Sequence, residues 1–200
     1  MIAVVDYGMG NVASVRNALA LLGAEAIITA RAEDFERATH IILPGVGAFP
    51  DGMRELWERG LIPVLRREVL ENQKPFLGIC LGMQLLAEAG EEGGDTKGLG
   101  FIAGKTRKLT VAGLRLPHIG WDDVTSAPGA RLFADIDSRD FYFVHSYVME
   151  PADSAAIAAT CTYGEAFAAA VQKDNIFGVQ FHPEKSQKAG IAVLRNFINL

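Results

Sequence analysis

Cys80 stands in Lys74-Pro75-Phe76-Leu77-Gly78-Ile79-Cys80-Leu81-Gly82-Met83-Gln84, an apolar run that ends in a cysteine between glycines. A buried strand that passes through Gly-Ile-Cys-Leu-Gly into a helix has the form of a nucleophile elbow, with Cys in place of Ser. Such a turn lifts the thiol out of the sheet at its carboxyl end, where ligands of open α/β sheets bind. The helix N-terminus beyond it favours the thiolate, the reactive form. Taken alone, the motif fits a buried packing cysteine equally well. A second piece, Ile176-Phe177-Gly178-Val179-Gln180-Phe181-His182-Pro183-Glu184, decides between the two. Strand alternation puts His182 and Glu184 on one side, and Pro183 ends the pairing. Glu184 can then orient the imidazole while the imidazole serves the thiol. A third piece, Ile41-Ile42-Leu43-Pro44-Gly45-Val46-Gly47-Ala48-Phe49, is a strand followed by a glycine-rich turn. Backbone N–H groups near Val46 and Gly47, with that of Leu81, would form an oxyanion hole. Cys80, His182 and Glu184 thus read as a hydrolytic triad acting on an acyl group.

The elements that must hold these residues follow from the hydrophobic pattern. Ile2–Asp6 is a short apolar run of the kind covered on both faces. Asn11 caps a helix through Leu22, with Val12, Val15, Leu19 and Leu22 on one face. Ala26–Thr29 and His40–Leu43 read as strands separated by a short helix at Glu33–Arg37. Helices are expected at Asp51–Trp57 and Leu61–Glu71, a strand at Lys74–Ile79 and a helix at Gly82–Ala89. This order predicts an α/β fold with a doubly wound, mostly parallel sheet. The second half changes character. Lys105–Leu109, Leu114–Val124, Asp140–Met149, Ala156–Thr162, Ala166–Lys173 and Asn175–Phe181 read as strands joined by short turns, an added antiparallel region. Gly90–Gly100 reads as a surface loop, and Ser186 as the cap of a closing helix. No linker divides the chain, so residues 1–200 are expected to form a single domain.

Composition excludes several functions. With 200 residues and a net charge of −5, the chain lacks the basic patch of a nucleic-acid binder. Its two cysteines, Cys80 and Cys161, are too few for a disulfide framework, and Cys161 reads as core packing. The N-terminal segment lacks the features of a signal peptide and no apolar run reaches membrane length, so a cytoplasmic protein is expected. The four histidines lack ligand-like spacing, so neither metal nor cofactor is expected. Gly8-Met9-Gly10-Asn11-Val12-Ala13 fits a dinucleotide fingerprint, but Thr29-Ala30-Arg31 stands where its acidic residue belongs. A peptidase or deglycase with the same triad, and a non-catalytic subunit that kept the fold, are the remaining alternatives.

The three pieces, in this order and spacing, resemble class I (triad-type) glutamine amidotransferases. The likeness runs the whole chain, through Asp6-Tyr7-Gly8-Met9-Gly10-Asn11, Leu43–Gly47, Gly78–Gln84, Pro117-His118-Ile119-Gly120-Trp121, Phe143-Val144-His145-Ser146-Tyr147 and Gln180–Ser186. It implies a flavodoxin-like fold and hydrolysis of glutamine to glutamate and ammonia. The set looks most like those glutaminases that feed a (β/α)8-barrel cyclase subunit in histidine biosynthesis. That cyclase makes imidazole glycerol phosphate and aminoimidazole carboxamide ribonucleotide, and the two subunits form a heterodimer. On this resemblance Gln84, Glu92, His145, Ser146 and Tyr147 match positions that hold glutamine. Asn11, Trp121, Tyr142 and Lys185 match positions at the partner interface. Ala13 departs from the larger polar residue many relatives carry there.

Overall fold

The computed structural model describes residues 1–200. Strand β1 (Ile2–Val5) is buried along its whole length, which is why it is a continuous apolar run. Helix α1 (Val12–Leu21) turns Val15, Ala18 and Leu19 inward, and the Asn11 side chain caps it by accepting the Ser14 N–H at 3.4 Å. β2 (Ala26–Thr29), α2 (Ala32–Arg37), β3 (His40–Gly45), α3 (Phe49–Glu58), α4 (Leu61–Arg66) and β4 (Phe76–Cys80) continue the alternation. The four strands pair in parallel in the order β2-β1-β3-β4.

The remaining elements are α5 (Leu81–Gln84), β5 (Ala89–Gly90), β6 (Thr96–Lys97), β7 (Gly104–Lys108), β8 (His118–Asp123), β9 (Thr125–Ser126), β10 (Asp140–His145), β11 (Tyr147–Pro151), β12 (Ile157–Tyr163), β13 (Glu165–Lys173), β14 (Ile176–Val179) and α6 (Gln187–Ile198). β14 joins β4 in parallel, and β13, β12 and β9 extend that sheet antiparallel. Two small sheets, β10-β8 and β11-β7-β5-β6, lie beyond it. The main sheet is covered on both faces. Val15, Leu19, Val193, Leu194 and Phe197 fill one side; Phe35, Phe49, Leu56 and Leu65 fill the other. This is the doubly wound, flavodoxin-like arrangement with added antiparallel strands that the sequence predicts.

Four local expectations change. The helix predicted at Gly82–Ala89 is the single turn α5, because Leu85, Leu86 and Ala87 are buried and Glu88 N–H pairs with the Gly104 carbonyl. A short apolar run does not distinguish a helix from a buried extended segment. The strand predicted at Asp140–Met149 breaks at Ser146, since β10 pairs with β8 while β11 pairs with β7. Gly90–Gly100 is not a plain surface loop, as it contributes Gly90 and Thr96–Lys97 to a small sheet. Ser186 stands at the N-cap position of α6 but its side chain makes no capping bond; its hydroxyl instead donates to the His182 carbonyl at 2.7 Å and accepts from Tyr142 N–H at 3.0 Å.

After α4 the chain makes a wider π-type turn, Arg67–Glu71, that buries Glu68. Glu68 takes Lys74 Nζ at 2.8 Å, Arg67 Nε at 2.9 Å and Asn72 Nδ2 at 3.0 Å, and Lys74 also donates to the Phe35 and Glu36 carbonyls. Burial disfavours the Glu68 anion, but the donors from Lys74, Asn72 and Arg67 outweigh it and pull the carboxyl down to about 2. A depressed carboxyl stabilises the fold above its ordinary value, and the gain is lost as pH falls through about 2. Glu68→Ala is therefore expected to destabilise the chain by about 3 kcal/mol at pH 7 in urea unfolding. The difference from wild type should shrink on acidification towards pH 2; a difference independent of pH would refute the charge-based account.

Candidate active site

β4 runs into α5 with no residue between them, and Cys80 at the junction has φ +54° and ψ −110°. A non-glycine residue in that region costs on the order of 1–3 kcal/mol and persists only where its surroundings enforce it. The enforcement comes from close packing. A Cβ on Gly82 would overlap the Leu43 carbonyl oxygen, and one on Gly78 would lie 2.5 Å from the Gly82 oxygen. The two glycines let α5 sit directly over β3 and β4, and the elbow follows. Cys80 is 5% exposed, with its sulfur 3.7 Å from the Val144 carbonyl oxygen and 3.7 Å from Gln180 Nε2.

His182 reaches the cysteine by a different route from the one strand alternation suggests. β14 ends at Val179, and Pro183–Lys185 is a 3₁₀ turn begun by the proline, which has no N–H to place. Within that turn His182 Nδ1 lies 2.9 Å from Glu184 Oε1, both side chains almost fully buried. The turn is clamped by His182 N–H to the Tyr142 carbonyl and by the two Ser186 hydroxyl bonds. Burial disfavours the charged imidazole, but Cys80 and Glu184 outweigh it and raise His182 to about 10. The ring therefore favours its charged form, held between Cys80 and Glu184.

Around the sulfur lies a cavity of about 250 Å³, small beside the roughly 300–1,000 Å³ of drug-sized ligand sites. Cys80, Leu81, His182, Val46, Gly47, Gln84, Glu92, His145, Ser146, Tyr147 and Lys185 all line it. The oxyanion and glutamine-holding positions expected from sequence therefore share one wall-to-wall space, and Lys185 stands at its edge. Leu81 opens α5, so no preceding turn of that helix can take its N–H. Glu92 is fixed by accepting the Phe49 N–H at 2.8 Å at the start of α3. Gln84 is 4% exposed and donates to the Tyr147 carbonyl at 2.8 Å and to Gln180 Oε1 at 3.2 Å. His145 accepts or donates at 3.0 Å to His118 and donates from Nδ1 to Tyr147 O at 3.0 Å. Burial first, and the neighbouring His118 second, push His145 down to about 3, so it is neutral.

The remaining expected positions lie outside the cavity. Trp121 packs edge-on to Tyr142 with ring centroids 5.8 Å apart, and Lys185 Nζ stands 5.7 Å over the Tyr142 ring. These three form one cluster, with Trp121 45% and neighbouring Ile119 59% exposed on β8. Asn11 is engaged as the cap of α1. Glu184 sits behind His182 rather than on the cavity wall. Sequence reasoning gave no role to Pro117 and Val144, which line the cavity, or to His118 and Gln180, which support it. All four fall inside quoted motifs, so the signal was present without a geometry to assign it.

The family model for class-I glutamine amidotransferases matches residues 3–200. The chain is 49% identical over 200 residues to imidazole glycerol phosphate synthase subunit HisH 2 of Methanococcus maripaludis, covering 99% of this chain and 98% of that one. It is 43% identical to imidazole glycerol phosphate synthase hisHF, chloroplastic, of Arabidopsis thaliana, covering all of this chain and 34% of that longer protein. A crystal structure of a glutamine amidotransferase superposes with a TM-score of 0.79 at 20% identity, covering 100% of this chain and 98% of that one, a likeness of fold. With the elbow, the histidine turn and the cavity already in place, these matches settle the kinship: the chain belongs to the class-I glutamine amidotransferases, in the branch formed by the HisH subunits of imidazole glycerol phosphate synthase.

Proposed function

We propose that the chain hydrolyses glutamine with Cys80, His182 and Glu184 and passes the ammonia to a (β/α)8-barrel cyclase subunit, its partner in a heterodimer. The observation that carries this reading is the common cavity of Cys80, His182 and the eight side chains or peptides expected to hold glutamine and its oxyanion. The Cys80 thiolate attacks the carboxamide carbon of glutamine. The resulting oxyanion is held by N–H groups of Leu81 and the Val46–Gly47 turn. His182 donates its proton to the leaving nitrogen, ammonia departs and a thioester remains. His182 then takes a proton from water, whose hydroxide opens the thioester to glutamate and frees the sulfur. Glu92 supplies a carboxylate for the α-ammonium of the substrate. Ammonia must leave unprotonated and sheltered, which favours a site that opens onto a partner. The Arabidopsis thaliana relative, in which this chain's length is one third of a longer protein, supports such a pairing. The partner uses the ammonia to make imidazole glycerol phosphate and aminoimidazole carboxamide ribonucleotide in histidine biosynthesis.

The test is co-purification with a barrel cyclase, followed by an assay for glutamine-dependent turnover. Failure of the pair to bind, or turnover with ammonia but never with glutamine, would refute the proposal. The free chain is expected to be the poorer glutaminase. Gly47 has φ +110°, a region open to glycine, so the peptide before it rotates at low cost and the partner can set its orientation. One missing oxyanion donor corresponds to a loss of about 100-fold or more. Glutamine hydrolysis by the free chain at the rate of the loaded complex would exclude this switch.

A further inference from the structure

The cysteine, histidine and carboxylate leave one neighbour of the sulfur unexplained. Gln180 is fully buried just past β14, and its Nε2 lies 3.7 Å from Cys80 Sγ. Its orientation is set by a chain of hydrogen bonds whose polarity one atom decides. The Tyr147 carbonyl can only accept, so the Gln84 terminal atom 2.8 Å away is its NH2. That NH2 also donates to Gln180 Oε1 at 3.2 Å, which turns the Gln180 NH2 towards the sulfur. The same carbonyl takes His145 Nδ1 at 3.0 Å, so neutral His145 accepts at Nε2 from His118 Nδ1 at 3.0 Å. His118 Nε2 in turn meets the Asp122 carboxylate at 2.6 Å. The His118 ring is wedged between the Phe143 and Tyr163 rings at 5.0 and 4.1 Å. The chain runs from Asp122, beside exposed Trp121 on β8, to the nucleophile. Because Tyr147 O accepts from both sides, it conducts no proton; it holds geometry.

We propose that Gln180 is a working partner of the nucleophile, donating its amide N–H to the Cys80 sulfur in the anionic form, with Gln84, Tyr147, His145, His118 and Asp122 fixing the direction of that amide. The thiol can place its proton on the Val144 carbonyl 3.7 Å away, but the thiolate cannot, and that carbonyl repels it. Ionisation leaves the sulfur with two donors, His182 and Gln180. His182 must surrender its proton to the departing nitrogen and then work as a base on water. Gln180 keeps its donor throughout, so the sulfur stays aimed when the thioester breaks.

This inference rests on the glutaminase reading for its kinetic arm but not for its chemical one. The full-length chain is treated with 2-chloroacetamide at pH 7, and alkylation of the Cys80 peptide is timed by mass spectrometry. Gln180→Leu keeps the bulk and removes the donor. Alkylation of Cys80 should slow about tenfold, the weight of a hydrogen bond to a charged group. In the complex with the cyclase, kcat for glutamine should fall by a similar factor with KM unchanged. A merely structural glutamine predicts the opposite sign at the sulfur, since loosened packing exposes the thiol and speeds alkylation. Gln180→Glu preserves shape and replaces the donor by a carboxylate oxygen, so it should be slower still. Alkylation of either folded variant at or above the wild-type rate overturns the proposal. If the complex proves inactive towards glutamine in every form, the glutaminase reading fails, while the order of alkylation rates still tests Gln180.

Discussion

Cys80→Ala is expected to lower glutamine-dependent turnover of the complex by about 10,000-fold or more, while synthesis supplied with ammonia continues. Loss of a triad nucleophile removes the covalent route entirely, and what remains is the weak catalysis of oxyanion donors and binding. The substitution is mild for the fold. Alanine meets the same backbone demand at φ +54° as cysteine, and the sulfur gives up only two contacts at 3.7 Å. Any stability change should stay near 1 kcal/mol. Turnover is to be measured with glutamine and separately with ammonium chloride at alkaline pH, where free ammonia is present. Loss of both activities in a folded complex would sink the division of labour between a glutaminase and an ammonia-using partner. Retention of glutamine turnover would remove Cys80 from the chemistry altogether.

How much of this was legible in advance depends on whether a feature is local. The β1–β4 alternation and the elbow at Cys80 were, because apolar runs and Gly-x-Cys-x-Gly are short-range patterns. The pairing of His182 with Glu184 was correct in outcome and wrong in route. Alternation puts residues i and i+2 on one side of a strand, but Pro183 ends the strand and a 3₁₀ turn makes the contact instead. The break at Ser146 was not legible. Phe141–Val148 alternates well enough to read as one strand, and only the competing partners β8 and β7 split it. That split matters for the site, since it sets the Val144 carbonyl against the sulfur and the Tyr147 carbonyl between Gln84 and His145. The supporting groups Gln180 and His118 were in plain view as residue types, yet their role depends on contacts between positions 96 and 27 apart in sequence. Trp121, Tyr142 and Lys185 gather into one cluster, a grouping that no spacing rule connects.

Glu184→Gln separates the two duties that the buried carboxylate performs. The amide oxygen can still accept the Nδ1–H that Glu184 Oε1 now takes at 2.9 Å, so the ring keeps its orientation and loses its counter-charge. Removing the charge of a triad carboxylate costs about 10,000-fold where the imidazole also takes the wrong tautomer. With the Nδ1–H tautomer held by the amide oxygen, a loss of about 100- to 1,000-fold in kcat/KM is expected for the complex. The pH profile identifies the cause. Cys80 and Glu184 overcome the burial that disfavours charge and raise His182 to about 10 in the folded chain. A raised histidine contributes stability in full below its ordinary value of 6.5 and loses it as pH rises through about 10. The proton needed by the departing nitrogen disappears over the same rise. Wild-type kcat/KM should therefore hold through neutrality and fall near pH 10, whereas the Glu184→Gln limb should move down towards neutral pH. The variant should also be less stable to urea at and below neutral pH, a deficit that closes as pH rises towards 10, because its folded state no longer binds that proton so tightly. A uniform drop in rate with the alkaline limb unmoved would mean that Glu184 acts on the ring's position and not on its charge.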